Sequence, residues 1–524
     1  MAKIKNMKWV LPLIVLAACL AFSVGVYAVY GEHNLDSDIS SEMVLAQLLN
    51  EEGRVFLTDS WFYSTELRIV SPVPVYQLML RLFDDWHIAR TCSIAVLLSG
   101  VAASLVYLVR GFGASSTAAL LCAAAIVLPV SKYNSFTLNY GGFYTVCVML
   151  TFIQLGLVLR MGKKRPLEPI LLAVLGFYGG LNGVRMLMIC LAPLLIAAVI
   201  TFFLEARGCE KMKQWLRLAS FPILAGSLIL AAATYAGYRV NTDVLSMQYD
   251  FAQYGETLLC ALTPEMFTDQ IICLMSYFGY RNNMLLLSMQ GVASVLAVVI
   301  PVAGVAAMVL ILRMKLTTRE RLIAVFAPVA LLMGMVINVL TLSEEHTAPL
   351  PYTVSYYMPA AILLVFALFW VFDRFECRSK ALRVLPMLAL VGAFLIGNAA
   401  YREEDMNTYE TELQDIAYWM VEEGCYEGYA TFWNANVLTE VTDGEIEVFC
   451  VEDWQYGDLN EWLQRKDHMD RVPEGRMFAI YRAQDYNPNL PGYEDPDHLY
   501  YASDNFFVVI FDSCEEFEDA WIWE

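Results

Sequence analysis

Hydrophobic positions along this chain come in long blocks separated by short polar breaks. A run of about 20 apolar residues crosses about 30 Å of hydrocarbon as a helix. Eleven such runs are legible: 9–31, 88–110, 114–130, 140–160, 168–182, 185–204, 217–238, 286–312, 320–341, 353–372 and 382–400. The fifth is short and can pair with the sixth, around GGLNGVR, as a broken or re-entrant element. Lys3, Lys5 and Lys8 precede the first run, and Val26-Tyr27-Ala28 resembles a cleavage site. The apolar stretch is longer than the about 7–15 residues of a signal core, so we read an uncleaved first span.

Basic residues fall in alternate breaks. One set of loops holds Lys3/Lys5/Lys8, Arg110, Arg160/Lys163/Lys164/Arg165, Arg207/Lys211/Lys213/Arg217, Arg313/Lys315/Arg319/Arg321 and Arg374/Arg378/Lys380/Arg383. The loops between them are poorly basic. Short loops rich in Lys and Arg stay on the cytoplasmic side. The pattern therefore predicts a multi-pass plasma-membrane protein with a cytoplasmic N-terminus. Everything from Tyr401 on is then extracytoplasmic, as are the loops 32–87, 131–139, 239–285 and 342–352.

The tail changes period. TYETELQDIAYWMVEEG reads as an amphipathic helix ending at Gly424. VLTEVTDGEIEVFCV reads as a hairpin about its Asp-Gly turn. DLNEWLQRK reads as a helix, and RMFAIYRA and NFFVVIFDS as strands. The fold class expected is an all-α polytopic membrane domain of about 11 helices over 1–400, followed by a small α/β domain at 401–524.

Composition agrees. The chain has 524 residues, of which 58% are hydrophobic and 17% charged, against about a quarter charged in soluble chains. Its net charge of −20 is concentrated in the tail and is the wrong sign for nucleic acid or an anionic lipid surface. The 12 cysteines form no CxxC pair, and most lie in apolar runs as small core hydrophobes. Cys425, Cys450 and Cys514 lie in the tail, where a disulfide is open. The predicted cytoplasmic loops are too short for a nucleotide site, and no Walker or GxGxxG pattern occurs.

Chemistry concentrates after the first run, in HNLDSDISSEMVLAQLLNEEG. The pattern Met43, Val44, Ala46, Gln47, Leu48, Leu49 suits a short amphipathic helix on the membrane surface, with Ser37, Asp38 and Ser40 as capping groups. The aromatic-rich WFYSTELRIVSPVPVYQLMLRLF follows, ending in a second amphipathic helix.

A first span, an acidic motif at its outer end and a surface helix running into "A..L...G" resemble the C-type glycosyltransferases. So do SPVPVYQLMLRLFDDWHIARTCSIAVLL, FYGGLNGVRMLMICLAPLLIA and SYYMPAAILLVFAL. The tail segment CYEGYATFWNANVL is similar to tails of bacterial members related to protein mannosyltransferases and aminoarabinose transferases. Two departures stand out. Ile39 follows Asp38 where a "DE" doublet is usual, and Ser355 replaces a frequent arginine. The resemblance implies an inverting enzyme that takes sugar from a polyprenyl-phosphate carrier at the outer face and gives it to a glycan, lipid or protein acceptor. It puts Asp38 at the family aspartate, which acts on the acceptor or binds metal.

The residues support this independently. Sugar transfer needs a base for the acceptor proton and cations for the departing phosphate. Asp38 is the first candidate base, with Asp36 and Glu42 as alternatives. Asp36 and Asp38 also offer hard oxygen ligands for Mg²⁺ or Mn²⁺. Against this, both aspartates can simply cap a helix. Glu66 and Arg68 can line the site or form a plain ion pair. Arg185 lies between apolar segments, where an unpaired charge is costly, and is the favoured phosphate ligand; snorkelling to the interface is its bland alternative. Lys132, Arg239 and Arg281 are further cations near outer span ends. Tyr140, with Tyr133 and Tyr144, can hydrogen-bond substrate or belong to an interfacial belt. His33, His87 and His346 show no zinc spacing. Trp433, Asn434 and Asn436 can meet a sugar ring or pack under the tail. Two other classes stay open: a translocator of lipid-linked sugar or polysaccharide, and a non-catalytic glycan-binding envelope protein.

Overall fold

Each of the eleven apolar runs contains a helix among the residues that the computed structural model describes, which are 9–140, 143–162, 166–207, 209, 212–251, 263–340, 351–375, 381–404, 408–454, 458–485, 490–493 and 497–520. His346, Lys3, Lys5, Lys8, Lys163, Lys164, Arg165, Lys211, Arg378 and Lys380 lie outside the described residues. Eight helices among the described residues are long and apolar enough to cross a membrane. The pair Lys132–Tyr140 and Tyr144–Arg160, whose axes differ by 68°, makes a ninth if it counts as one span. Ser116–Ile126 and Leu167–Gly180 are apolar but shorter. At about 1.5 Å per residue, the first of these covers only about half the hydrocarbon thickness.

The short helix Leu167–Gly180 is held by backbone-to-backbone packing against Ser220–Asp243. A side chain at Gly180 would lie 2.1 Å from the Thr234 carbonyl oxygen, and one at Gly237 would lie 2.1 Å from that of Phe177. Small residues allow this approach where lipid gives no hydrophobic drive between helices. The span Thr353–Arg374 is buried over 94% of its apolar window and forms the hub of the bundle.

The tail builds a five-stranded sheet in the order β3-β2-β5-β7-β6. Here β1 is Trp61–Phe62, β2 Glu427–Thr431, β3 Glu447–Val451, β4 Gln464–Arg465, β5 Met477–Arg482, β6 Leu499–Ala502 and β7 Phe506–Phe511. Strands β3 and β5 run parallel to β2, while β7 is antiparallel to β5 and β6 to β7. The expected hairpin in VLTEVTDGEIEVFCV is absent. Parallel β2 and β3 need a crossover, and Phe432–Val441 supplies it as a helix. Ala435, Val437, Leu438 and Val441 are its buried apolar positions. Asp443 and Gly444 take left-handed φ values of 54° and 81°, so the Asp-Gly pair ends this helix. DLNEWLQRK is not helical: it contains β4 and bends, because β4 pairs elsewhere. The expected strands RMFAIYRA and NFFVVIFDS are β5 and β7, and the expected helix is Thr408–Glu422.

β4 pairs antiparallel with β1 of the first loop, Trp61 opposite Arg465 and Phe62 opposite Gln464. The crossover helix Phe432–Val441 lies across the helix Ser37–Glu51. The Asn436 amide donates to Ser37 Oγ at 3.2 Å, and the Trp86 amide donates to Asp443 Oδ1 at 2.6 Å. Loop and tail therefore share one end of the bundle, which requires an even number of crossings between them.

Candidate functional site

At that end lies a cavity of about 550 Å³, bounded by the first loop, the broken helix at 132–140, Arg185, Tyr356, Tyr401 and two tail tryptophans. Its volume is within the range of about 300–1,000 Å³ typical of small-molecule sites.

The acidic wall is the helix Ser37–Glu51. Asp36 is its N-cap: the backbone is extended there (φ −134°, ψ 170°), and Oδ1 accepts from the Ile39 amide at 2.9 Å. The capping expected of Ser37, Asp38 and Ser40 thus falls to Asp36. Ser37 instead accepts from the tail, and Ser40 is buried. Asp38, in the first turn, lines the cavity half-buried; its carboxylate has no hydrogen-bond partner among the described residues. Burial raises the pKa of both aspartates; the Asp38 charge pushes Asp36 further up, and Arg68 opposes the shift at Asp38. Glu42, one turn on, is 1% exposed, and burial pushes it up to about 8 against the pull of Arg68 and Arg90. Its Oε1 takes Arg68 Nη1 at 3.2 Å, while Oε2 has no partner among the described residues.

Arg68 reaches Glu42 from a left-handed backbone (φ 57°), rare for a side chain of this size. Ser71 Oγ donates to the Arg68 carbonyl and closes the turn.

The basic wall rests on two interrupted helices. Arg185 precedes a π-helical segment, Leu187–Leu191, and Lys132 precedes another, Ser135–Tyr140. Such wide turns are rare and cluster at functional sites. Arg185 is buried; its Nε donates to Glu66 Oε1 at 2.5 Å, and its guanidinium lies 4.8 Å from the Tyr144 ring and 4.9 Å from the Tyr356 ring. Asn182 Nδ2 donates to Glu66 Oε2 at 2.5 Å, and Asn182 Oδ1 accepts from the Val70 amide. Both Glu66 oxygens are therefore engaged, and Glu66 holds Arg185 in place. Lys132 is exposed to the cavity, 5.5 Å from the Tyr133 ring, with no carboxylate partner among the described residues.

Other candidates lie elsewhere. Arg239 is exposed and paired with Asp243 at 2.6 Å, one helical turn away. Arg281 does not line the cavity; its backbone exchanges hydrogen bonds with Ser294 Oγ. Both are span-end cations outside the site. Tyr140 lines the cavity, with its ring 5.0 Å from that of Tyr27. His33 bonds Thr411, and His87 pairs with Glu32. Asn434 and Asn436 are buried beneath the tail, whereas Trp433 reaches the cavity.

Asn34, Tyr356, Tyr401 and Trp462 also line the cavity and were missed. GGLNGVR and SYYMPA carried the clearest signals, since Asn182 and Tyr356 sit in them, but neither names its partner across the fold.

For a metal, Asp36 has one oxygen committed to the cap. The single group of three ligand types within 4.8 Å among the described residues is Glu447, Asp467 and His468, in the tail. Arg471 lies 2.7 Å from one Glu447 oxygen, and Arg465 lies 3.4 Å from the other. Two guanidiniums already neutralise that cluster. Two aspartates alone supply fewer ligands than the six of Mg²⁺, so a cation held by Asp36 and Asp38 would draw the rest from water and substrate.

No protein-family model matches the sequence, and no curated protein does. Solved structures do. ArnT from Cupriavidus metallidurans bound to undecaprenyl phosphate is 13% identical, with a TM-score of 0.56, over 98% of this chain and 99% of that one. The same protein in its apo state is 14% identical, with a TM-score of 0.52, over 91% and 93%. The apo oligosaccharyltransferase of Archaeoglobus fulgidus is 13% identical, with a TM-score of 0.48, over 86% and 65%. Over nearly its whole length the chain has an ArnT-like fold.

Proposed function

We propose that this protein is a membrane glycosyltransferase that moves a sugar from a polyprenyl-phosphate donor to an acceptor of the cell envelope. The observation that carries this reading is one cavity holding an uncommitted carboxylate, Asp38, together with the cations Lys132, Arg68 and Arg185. The fold neighbour bound to undecaprenyl phosphate supports the donor class. The alternation of basic loops supports action at the outer face.

Asp38 takes the proton of the acceptor hydroxyl. The freed oxygen attacks the anomeric carbon, and the bond from that carbon to the phosphate oxygen breaks. The bonding pair leaves with the lipid phosphate, and attack from the opposite face inverts the centre. Lys132 and Arg185 stabilise the charge gained by the phosphate. Asp36 is the second candidate for this role, because one of its oxygens is spent on the helix cap.

Mass spectrometry of surface glycans and lipid-linked sugars, in cells with and without the protein, tests the reading. Loss of one surface sugar with accumulation of its lipid donor is expected. Asp38→Asn should reproduce that loss, lowering transfer at least about 100-fold, while melting like the parent in detergent. Full transfer by Asp38→Asn would overturn the assignment of the base. Flipping of a lipid-linked sugar in liposomes, without transfer, would replace the reading with translocation.

A further inference from the structure

Two tryptophans of the tail, Trp433 and Trp462, line the cavity that the membrane segments alone would leave open. The catalytic reading gives them no role. Trp433 is unusual for a large aromatic in a cavity wall: it is 51% exposed, in the first turn of the helix Phe432–Val441. Phe432 meets it edge-on at 5.2 Å, which steadies the indole while leaving surface uncovered. Trp462 is half-buried and precedes Leu463, whose left-handed φ of 50° turns the chain just before β4.

Neither residue sits on a loose flap. The helix carrying Trp433 is fixed through Ser37–Asn436 and through the buried Arg90–Glu440 pair. The segment carrying Trp462 is fixed by β4 against β1. Rigid placement matters, because an aromatic platform gains little when it must first be ordered. Leaving half an indole bare is costly in water and becomes favourable once an apolar face covers it. The same cavity carries carboxylates and the Asn34 amide, groups that bond hydroxyls. A ligand with an apolar C–H face and a hydroxylated edge matches both.

We infer that Trp433, with Trp462 in the same cavity wall, forms an aromatic subsite that stacks on the C–H face of a pyranose ring. The inference builds on the proposed transfer reaction, and the ring belongs either to the lipid-linked donor or to a glycan acceptor.

Saturation-transfer-difference NMR on the full-length protein in detergent tests it without requiring turnover. The probes are glucose, mannose, galactose and N-acetylglucosamine, each added free. For at least one sugar, the axial ring protons should receive signal from the protein. Trp433→Ala should lose that signal, and Trp433→Phe should keep most of it. Absence of signal for all four sugars, or equal signal in Trp433→Ala with an unchanged melting curve, would overturn the subsite. In the transfer assay, Trp433→Ala should raise one KM on the order of tenfold with kcat nearly constant. A raised KM for the lipid-linked sugar assigns the ring to the donor, and a raised KM for the glycan assigns it to the acceptor. No change in either, while the parent transfers sugar, overturns the subsite and leaves the transfer reaction standing.

Discussion

Two buried arginine–carboxylate pairs at the same end of the bundle show how differently one kind of contact can be used. Arg90 is fully buried and saturated: Nε and Nη2 bond the two oxygens of Glu440, Nη1 reaches Tyr76 Oη at 3.2 Å, and Nη2 reaches the Ile39 carbonyl at 3.2 Å. The Tyr76 ring lies 4.9 Å from its guanidinium. In the other pair Arg68 Nη1 meets Glu42 Oε1 at 3.2 Å, Glu42 Oε2 has no partner among the described residues, and both residues line the cavity. The first pair spends every polar atom on structure. The second leaves capacity facing the space where substrate would sit. A complete pair fixes the tail to the membrane segments; an incomplete one keeps chemistry available.

The sharpest way to break this contrast is Glu440→Ala. Removing one partner of a fully desolvated pair costs about 3–5 kcal/mol. Thermal unfolding in detergent should show a collapse of folded protein, and the double change Arg90→Met with Glu440→Leu should recover much of it. A mild effect of Glu440→Ala would mean the pair does not anchor the tail. Arg68→Met should cost less, about 1–3 kcal/mol, because Glu42 can hold a proton once its partner is gone. Its transfer activity should fall more than its melting temperature suggests.

Glu42 also gives the cavity a pH signature. Its folded pKa of about 8 lies above the ordinary 4.5, so between those values the folded state binds more protons than the unfolded state. Stability from this group is fully present below about pH 4.5 and is lost as pH rises through about 8. Glu42→Gln should flatten that decline while leaving the melting point near pH 5 almost unchanged. An identical pH slope in parent and variant would remove Glu42 as its source. The smallest effect belongs to Arg239→Ala. Its exposed pair with Asp243 should be worth under about 0.5 kcal/mol, and transfer should not move.

How much of this was legible depended on whether the cause was local. Apolar runs favour helices by their own length, so the helices were legible, but not all of the eleven expected spans: Ser116–Ile126 and Leu167–Gly180 are short helices. The cap at Asp36 was within reach, but three neighbouring polar residues competed for it, and only the backbone turn decides among them. The tail helix was misread because VLTEV alternates acceptably as a strand; the parallel partner at Glu427–Thr431 that forces a crossover is set by the sheet. Arg185 was found because a charge among apolar residues is conspicuous. Glu440, its equal in burial, was hidden among many tail acids. Arg239 and Arg281 shared the composition of site cations, but the fold carries them to other surfaces.

The short β1–β4 pairing has a consequence for biogenesis. Residues near position 61 emerge some four hundred residues before their partners near 465. Until then the cavity lacks a wall, Ser37 lacks its donor and Arg90 lacks its counter-ion. The nascent chain therefore carries an incomplete pocket and an uncompensated charge through most of its insertion. Arrival of the tail is then the event that at once closes the compartment and silences that charge.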